Sequence, residues 1–228
     1  MSTAIIIGVG EGLSASIARR LAQRGHELVL AARDTSKLAG LTEETAASVV
    51  ECAAQNPADM EAVFAKADEL DGPLDIAVYN PSARVRGPVT ELDPKAVRNA
   101  IEVTAFGAFL MAQQAAKRML PRNSGTMLFT GASAGVKGYP NSSSFAMGKF
   151  ALRGLCQSLA RELHPQGIHI GHFVIDGGIE NASRPERVGS DDNTLDPDAI
   201  AESYMHFLDQ PRSSWAWEIE LRPWVEKF

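Results

Sequence analysis

The sequence has few cysteines and no excess of positive charge. Its two cysteines, Cys52 and Cys156, lie far apart and outside any spacing typical of a metal site or a redox pair. Two unpaired thiols suit a reduced intracellular compartment. With 22 basic and 28 acidic residues, the formal net charge is −6. The charge therefore gives no basis for binding nucleic acid or an anionic membrane surface, and we expect no nucleic-acid partner. The cysteine spacing gives no reason to expect a metal ion.

Long apolar stretches are scarce as well. The first residues, MSTAIIIGVGEG, contain no basic segment and an apolar run of only about five residues, which predicts neither a signal peptide nor a membrane span. We therefore expect a cytoplasmic protein without membrane contact. Of the 228 residues, 45% are hydrophobic and 22% are charged, which is typical of a globular domain with a sizeable core. Residues 1–228 are accordingly expected to form one domain.

Short β-branched segments alternate with longer segments of helical periodicity. The predicted strands are 4–7, 27–31, 48–52, 74–80, 126–131, 169–175 and 217–221, and the predicted helices are 13–25, 57–70, 94–120, 142–163 and 197–209. This alternation is typical of βαβ units. It predicts a Rossmann-like, doubly wound α/β fold, with a mainly parallel sheet of about seven strands between helices on both faces.

A glycine-rich stretch, GVGEGLS at residues 8–14, lies directly between the first predicted strand and the first predicted helix. Glycines allow the backbone to turn sharply and to approach a pyrophosphate, while the start of the helix offers free N–H groups. We therefore expect Gly8, Gly10, Gly12 and Leu13 to bind a dinucleotide. A turn with a purely structural role is the alternative, because glycine clusters alone are a weak signal.

The choice between NADP and NAD depends on Arg33, which follows the second predicted strand. An acidic residue there would bind a ribose 2′-hydroxyl, whereas an arginine can neutralise a 2′-phosphate. Glu11 opposes this interpretation, because a carboxylate in the glycine turn can face the same phosphate. The predicted cofactor is NADP, and NAD stays possible.

The order of several motifs resembles that of the short-chain dehydrogenase/reductase family over nearly the whole chain. These motifs are Gly8–Gly12, LDIAVYNPS (74–82), FGAFLMAQQ (106–114), TGASAG (130–135), the stretch 148–168 and GGI (177–179). The resemblance implies a single NAD(P)-binding domain that transfers hydride between nicotinamide and a carbonyl or alcohol. It also implies that Asn80, Lys149, Gly177 and Ile179 contact the cofactor.

The resemblance further implies a catalytic group of one serine, one asparagine, and a tyrosine four residues before a lysine. In the family, the tyrosine is the general acid or base, the lysine lowers its pKa and holds the nicotinamide ribose, the serine positions the carbonyl oxygen, and the asparagine holds a water. The lysine of this group is present here as Lys149. The alternative interpretation is that Lys149 is a surface lysine on the exposed side of its helix. Phe145 stands at the tyrosine position, Ala132 at the serine position and Thr104 at the asparagine position. Phenylalanine has no hydroxyl, so the catalytic positions are degenerate.

Other polar residues lie near these positions in the sequence. Ser133 is next to Ala132, but on a regular strand end its side chain would point the other way. Tyr139 lies in a loop that borders the substrate pocket in the family, so its phenol is a candidate acid. Ser142–Ser144 are expected to cap and pack a helix. Asp176 stands where the family has a proline, and contact with substrate or capping of the following loop are both open.

Two histidines and a second glycine pattern bear on metal binding and on the choice of family. His169 and His172 are three residues apart on a predicted strand, so they should face opposite sides and do not indicate a metal pair. The spacing from Gly8 to Ser14 fits the glycine turn of the bacterial enoyl reductases. That match is partial, because the tyrosine those enzymes need seven residues before the lysine is Ser142 here.

Two main functions follow, with an enoyl-reductase-like enzyme as a minor alternative. The first is an NADP-dependent oxidoreductase whose proton comes from water, Tyr139 or the substrate. The second is a dinucleotide-binding sensor or partner subunit without turnover, favoured by the changes at Thr104, Ala132 and Phe145. The polar loop 177–195, with Arg184 and Arg187, favours the first. The substrate is expected to be a small molecule, and no motif names it.

The resemblance also implies a homodimer or homotetramer. Its subunits would pack through the two long predicted helices, 94–120 and 142–163. Phe106, Phe109, Leu110 and Leu155 supply apolar surface on these helices for both the sheet and a neighbouring subunit.

Overall fold

A seven-stranded sheet runs through the computed structural model, which describes residues 1–180 and 193–226. Its strands are β1 (Thr3–Ile7), β2 (Glu27–Ala32), β3 (Ser48–Glu51), β4 (Leu74–Tyr79), β5 (Gly125–Thr130), β6 (Ile168–Ile175) and β9 (Glu218–Leu221). Two short strands between β6 and β9, β7 (Gly178–Ile179) and β8 (Thr194–Leu195), pair only with each other among the described residues. The large sheet has the order β3-β2-β1-β4-β5-β6-β9, and all of its pairings are parallel. The predicted Rossmann-like α/β fold is confirmed.

Helices cover both faces of this sheet. They are α1 (Leu13–Gln23), α2 (Ala39–Thr45), α3 (Pro57–Asp68), α4 (Pro94–Ile101), α5 (Gly107–Met119), α6 (Ser143–Leu163) and α7 (Pro197–Leu208). The helix predicted over 94–120 is interrupted, because a π-helical turn at Glu102–Phe106 joins α4 to α5. The sequence analysis missed α2, a short helix in which only Leu41 is buried, so it carries no apolar periodicity.

Three helices begin with the same local signal. Asn56, Asp93 and Asp196 precede α3, α4 and α7, and each is followed by a proline at the first helical position. Each side chain accepts a hydrogen bond from a backbone N–H of the first turn. These caps satisfy donors that have no partner within the helix, and the proline removes one such donor outright.

The sheet separates two apolar clusters. Ile5 and Ile7 face the layer that contains α3, α5 and α6, whereas Ile6 faces the layer that contains α1 and α7. Burial on both faces explains the continuous β-branched runs in the sequence. On β6, the ring of His169 stacks on Phe207 at 4.1 Å in the second layer. His172 points to the opposite face, where its Nδ1 bonds to Glu218, so the two histidines diverge as predicted.

Apolar side chains are also exposed on α5, on the turn before it, and on α6. Phe106 and Phe109 are each 43% exposed, and their rings stack at 6.2 Å. Met147 and Phe150 are exposed on α6. Leu110, one of the residues predicted to cover the sheet and a neighbouring subunit, is buried in the core against the sheet. Among residues 1–180 and 193–226, no helix is long and apolar enough to cross a membrane.

Candidate active site

The carboxyl ends of the parallel strands bring most of the candidate residues to one edge of the sheet. Between β1 and α1, the backbone turns at Gly8 and Gly12, which have φ values of 80° and 90°. A Cβ at Gly8 would lie 2.6 Å from Cγ of Pro81, so this position requires glycine. Gly12 is the N-cap of α1 and, being glycine, has no side chain that could cap the helix. The first N–H groups of α1 are therefore open to an anion.

A short hydrogen-bond chain joins this turn to the end of β4. The amide of Asn80 donates to Oγ of Ser14 at 2.5 Å, and Ser14 Oγ donates to the carbonyl of Gly8 at 3.1 Å. The Asn80 backbone N–H donates to the carbonyl of Ile7. The chain fixes the glycine turn against β4, at the point where the strand order reverses and α/β folds bind their ligands.

A cleft of about 270 Å³ opens beside the turn. The predicted site residues that line it are Gly12, Leu13, Asn80, Ala132, Phe145, Lys149, Gly177 and Ile179. Gly8, Gly10, Arg33, Thr104 and Tyr139 are not part of its lining. Arg33 is exposed directly after β2, at the same edge of the sheet. The cleft thus brings most of the predicted cofactor residues together with Ala132 and Phe145, two of the three degenerate positions.

Lys149 is a buried cleft residue, only 3% exposed, which contradicts the alternative of a surface lysine. Its Nζ donates to the carbonyl of Thr130 at 2.7 Å. Burial lowers the pKa of the Lys149 ammonium from 10.5 to about 7. The nearby Cys156 thiol opposes this shift, and the positive charge of Arg84 adds to it.

The ring of Phe145 contacts Arg84, a cation that the sequence did not indicate as a site residue. The guanidinium carbon of Arg84 lies 3.9 Å from the centroid of the Phe145 ring, and Lys149 Nζ lies 5.8 Å from it. Both cations line the cleft. The available signal for Arg84 was its place in the segment that follows the carboxyl end of β4, where such folds position ligand-binding loops.

Contacts from two distant elements hold the segment that carries Arg84. The N–H of Ala83 donates to Oγ1 of Thr104, a fully buried residue of the π-helical turn. Ser144 Oγ accepts from the N–H of Val85 at 3.0 Å and donates to its carbonyl at 2.8 Å. Ser144 therefore packs as predicted. The capping part of that prediction is wrong for Ser142, which is the N-cap of α6 but makes no side-chain capping bond.

The hydroxyl groups of Ser133 and Tyr139 form a hydrogen bond with each other. Ala132 lines the cleft and precedes a short 3₁₀ turn at Ser133–Gly135. The phenol of Tyr139 donates to Oγ of Ser133 at 3.0 Å, and Tyr139 is 41% exposed. Neither hydroxyl is part of the cleft lining.

Asp176 connects two loops at the edge of the sheet. Its buried carboxylate lies 3.6 Å from Nζ of Lys137 and 3.6 Å from Nη2 of Arg222. The carboxylate is not part of the cleft lining, and its N–H donates to the carbonyl of Leu221. Of the loop 177–195, the two ends pair as β7 and β8. Arg184 and Arg187 lie outside the described residues.

The short chain dehydrogenase family model matches residues 2–186, and the chain belongs to this family. A short-chain dehydrogenase from Rhodopseudomonas palustris is 31% identical and has a TM-score of 0.85, with 98% of this chain and 99% of that chain covered. An uncharacterized oxidoreductase of Staphylococcus aureus is 27% identical over 226 residues, with 96% of each chain covered. An alcohol dehydrogenase from the archaeon Thermococcus sibiricus, complexed with 5-hydroxy-NADP, has the same fold, with a TM-score of 0.86, 22% identity, and 100% and 99% of the two chains covered.

Proposed function

We propose that this protein is an NADP-dependent oxidoreductase that transfers hydride between nicotinamide and a carbonyl or alcohol in the cleft described above. The observation that carries the proposal is the meeting of Gly12, Asn80 and Lys149 with Ala132 and Phe145 in one cleft. Ala132 and Phe145 stand where the family has its serine and tyrosine, so this is a divergent member with a changed proton source.

The chain's residues fit a dinucleotide. The uncapped start of α1 and the glycine turn would hold the diphosphate. Lys149 would donate to the hydroxyls of the nicotinamide ribose, and Gly177 and Ile179 would border the nicotinamide from the other side of the cleft. When bound, a nicotinamide cofactor supplies or accepts the hydride. The archaeal neighbour complexed with 5-hydroxy-NADP supports NADP, as does the exposed Arg33 at the end of β2.

The side chains at the degenerate positions shape the cleft without exchanging protons. The ring of Phe145 is 8% exposed, and together with the methyl group of Ala132 it presents apolar surface beside Lys149. Such surface excludes water and strengthens the electrostatic effect of the remaining charged groups. The proton that accompanies the hydride must therefore come from another group.

A second candidate function is dinucleotide binding without turnover, as a sensor or a partner subunit. It is favoured by the same two residues, because neither Ala132 nor Phe145 can polarise or protonate a carbonyl oxygen. Both functions need the same cofactor site. Two expectations stay predictions. One is that residues 1–228 form a single domain, and the other is that two or four copies associate.

The first test is a fluorescence titration of the purified protein with NADPH and, in parallel, with NADH. We expect saturable binding of NADPH that the Lys149→Ala variant weakens at least about tenfold, the equivalent of one lost charge-assisted hydrogen bond. Lys117→Ala, at an exposed lysine on α5, is the matched control and should bind as the parent does. If neither nucleotide binds, both candidate functions are wrong. If NADPH binds, turnover with carbonyl substrates separates the oxidoreductase from the sensor.

A further inference from the structure

We propose that the Lys149 ammonium gives the carbonyl oxygen its proton during reduction, so that Lys149 is the general acid of this cleft. The inference rests on the proposed oxidoreductase function, because it requires a bound nicotinamide cofactor and a carbonyl substrate. It assigns Lys149 a proton transfer in addition to its contact with the ribose.

The geometry leaves Lys149 available for this step. Its ammonium carries three N–H donors, and among the described residues the carbonyl of Thr130 is its one hydrogen-bond acceptor. Two N–H groups are therefore left for ligands. Lys149 lines the cleft, and its Nζ lies 5.8 Å from the ring of Phe145, the position at which the resemblance puts the family's tyrosine and thus the reacting carbonyl beside it.

Other groups near the same end of the cleft are poorly suited to the task. The Thr130 hydroxyl shares a 2.8 Å hydrogen bond with the buried phenol of Tyr204. The Tyr139 phenol donates to Ser133 outside the cleft lining. Arg84 lines the cleft, but a guanidinium does not give up its proton in proteins. Lys149 is therefore the buried cleft residue with both the position and the exchangeable proton.

The electrostatic surroundings tune Lys149 toward this role. The titratable groups that act on it come from three elements: Cys156 from α6 itself, Arg84 from the segment after β4, and His172 from β6. Burial and the Arg84 charge lower the pKa of Lys149 to about 7. A general acid works best when its pKa lies near the working pH, whereas an ordinary lysine holds its proton too tightly.

The proton and electron balance is complete. The carbonyl carbon would receive the hydride, with its two electrons, that a bound reduced nicotinamide supplies, and the electron pair of the C=O π bond would move to the oxygen. That oxygen takes a proton from the Lys149 ammonium and becomes a hydroxyl. Lys149 is left as a neutral amine, which regains a proton from solvent before the next turnover.

The kinetic test uses saturating NADPH and butanedione, a small vicinal diketone, as the carbonyl probe. We expect kcat to be constant at low pH and to fall about tenfold per pH unit above the pKa of Lys149, since only the protonated form donates. Lys149→Arg should still bind NADPH, but its kcat should be about 10²-fold lower and show no such fall. Arg84→Gln should move the fall to higher pH, because the positive charge that disfavours the ammonium is gone.

A second readout does not depend on turnover. Lysine isotopically labelled at Cε reports its own ionisation by NMR, and the Lys149 signal is identified by its absence from Lys149→Met. We expect this signal to titrate far below those of exposed lysines such as Lys117, and to shift upward in Arg84→Gln. In the NADPH complex, its midpoint should match the midpoint of the kcat profile.

The outcomes distinguish this inference from the proposed function. If NADPH binds but the parent reduces no carbonyl, the oxidoreductase proposal fails and the inference fails with it. If the parent reduces butanedione while Lys149→Arg keeps its rate and pH profile, only the inference is wrong. Loss of activity in Tyr139→Phe would also overturn it, by assigning the proton to the phenol.

Discussion

The guanidinium of Arg84 lies over the ring of Phe145, with 3.9 Å between its central carbon and the ring centroid. The ring belongs to the position at which the family resemblance puts a tyrosine. An aromatic face attracts a cation, and a partly desolvated pair of this kind contributes roughly 0.5–2 kcal/mol. The contact of Phe145 seen here is thus a pairing with a neighbouring cation, which requires no hydroxyl group.

Restoring the family's hydroxyl pair should raise carbonyl reduction. We expect the double variant Ala132→Ser/Phe145→Tyr to reduce butanedione about 10²–10³-fold faster than the parent, since the serine adds an oxyanion donor and the tyrosine adds a second acid beside Lys149. The measurement is NADPH oxidation at saturating cofactor. Phe150→Tyr, at an exposed phenylalanine on the same helix, is the matched control. An unchanged rate with intact NADPH binding would show that the cleft does not place a carbonyl beside these positions.

The buried ammonium of Lys149 should make the stability of the cofactor-free protein depend on pH. The pKa of Lys149 is about 7 in the folded protein and returns toward 10.5 on unfolding. Between these values the unfolded chain binds more protons, so the free energy of unfolding rises with pH, by up to about 5 kcal/mol across the window. Lys149→Met should lack this rise and be the more stable protein below pH 7. Denaturant titrations of both proteins at several pH values would reveal the difference, and parallel pH profiles would contradict it.

The preference for NADPH should depend on two exposed residues of opposite charge. Arg33→Ala should weaken NADPH binding about tenfold and leave NADH binding unchanged, because only NADPH has the 2′-phosphate. Glu11→Gln should strengthen NADPH binding, because it removes a carboxylate at the edge of the cleft. Both side chains are exposed, so neither change should affect folding. Equal effects on the two nucleotides would exclude Arg33 from phosphate recognition.

The exposed phenylalanines on and beside α5 should determine the oligomeric state. We expect the parent to be a dimer or tetramer by size-exclusion chromatography with light scattering. The variant Phe106→Glu/Phe109→Glu should be a monomer, because burying these two charges in an apolar interface is unfavourable. Val89→Glu, at an exposed apolar residue elsewhere, should leave the oligomer intact. A monomeric parent would contradict the predicted assembly.

The sequence predicted those features that depend on neighbouring residues. The strands, most helices, and the glycine turn follow from local periodicity and backbone freedom, and the place of Lys149 follows from its motif. Arg84 was missed because its position depends on Ser144, which holds Val85 from 59 residues away. The ion pairs of Asp176 were missed for the same reason, since Lys137 and Arg222 come from loops distant in the sequence.

Ala132 and Phe145 face the same cleft as Lys149, and this has a consequence for the history of the protein. Codons for phenylalanine and tyrosine differ by a single base, as do codons for alanine and serine. Two single-base changes would therefore give this protein the serine and tyrosine of the family, while the glycine turn, Asn80 and Lys149 are already present. Laboratory selection for carbonyl reduction could introduce both changes. The order in which the two changes become fixed would reveal which one the present cleft accepts first.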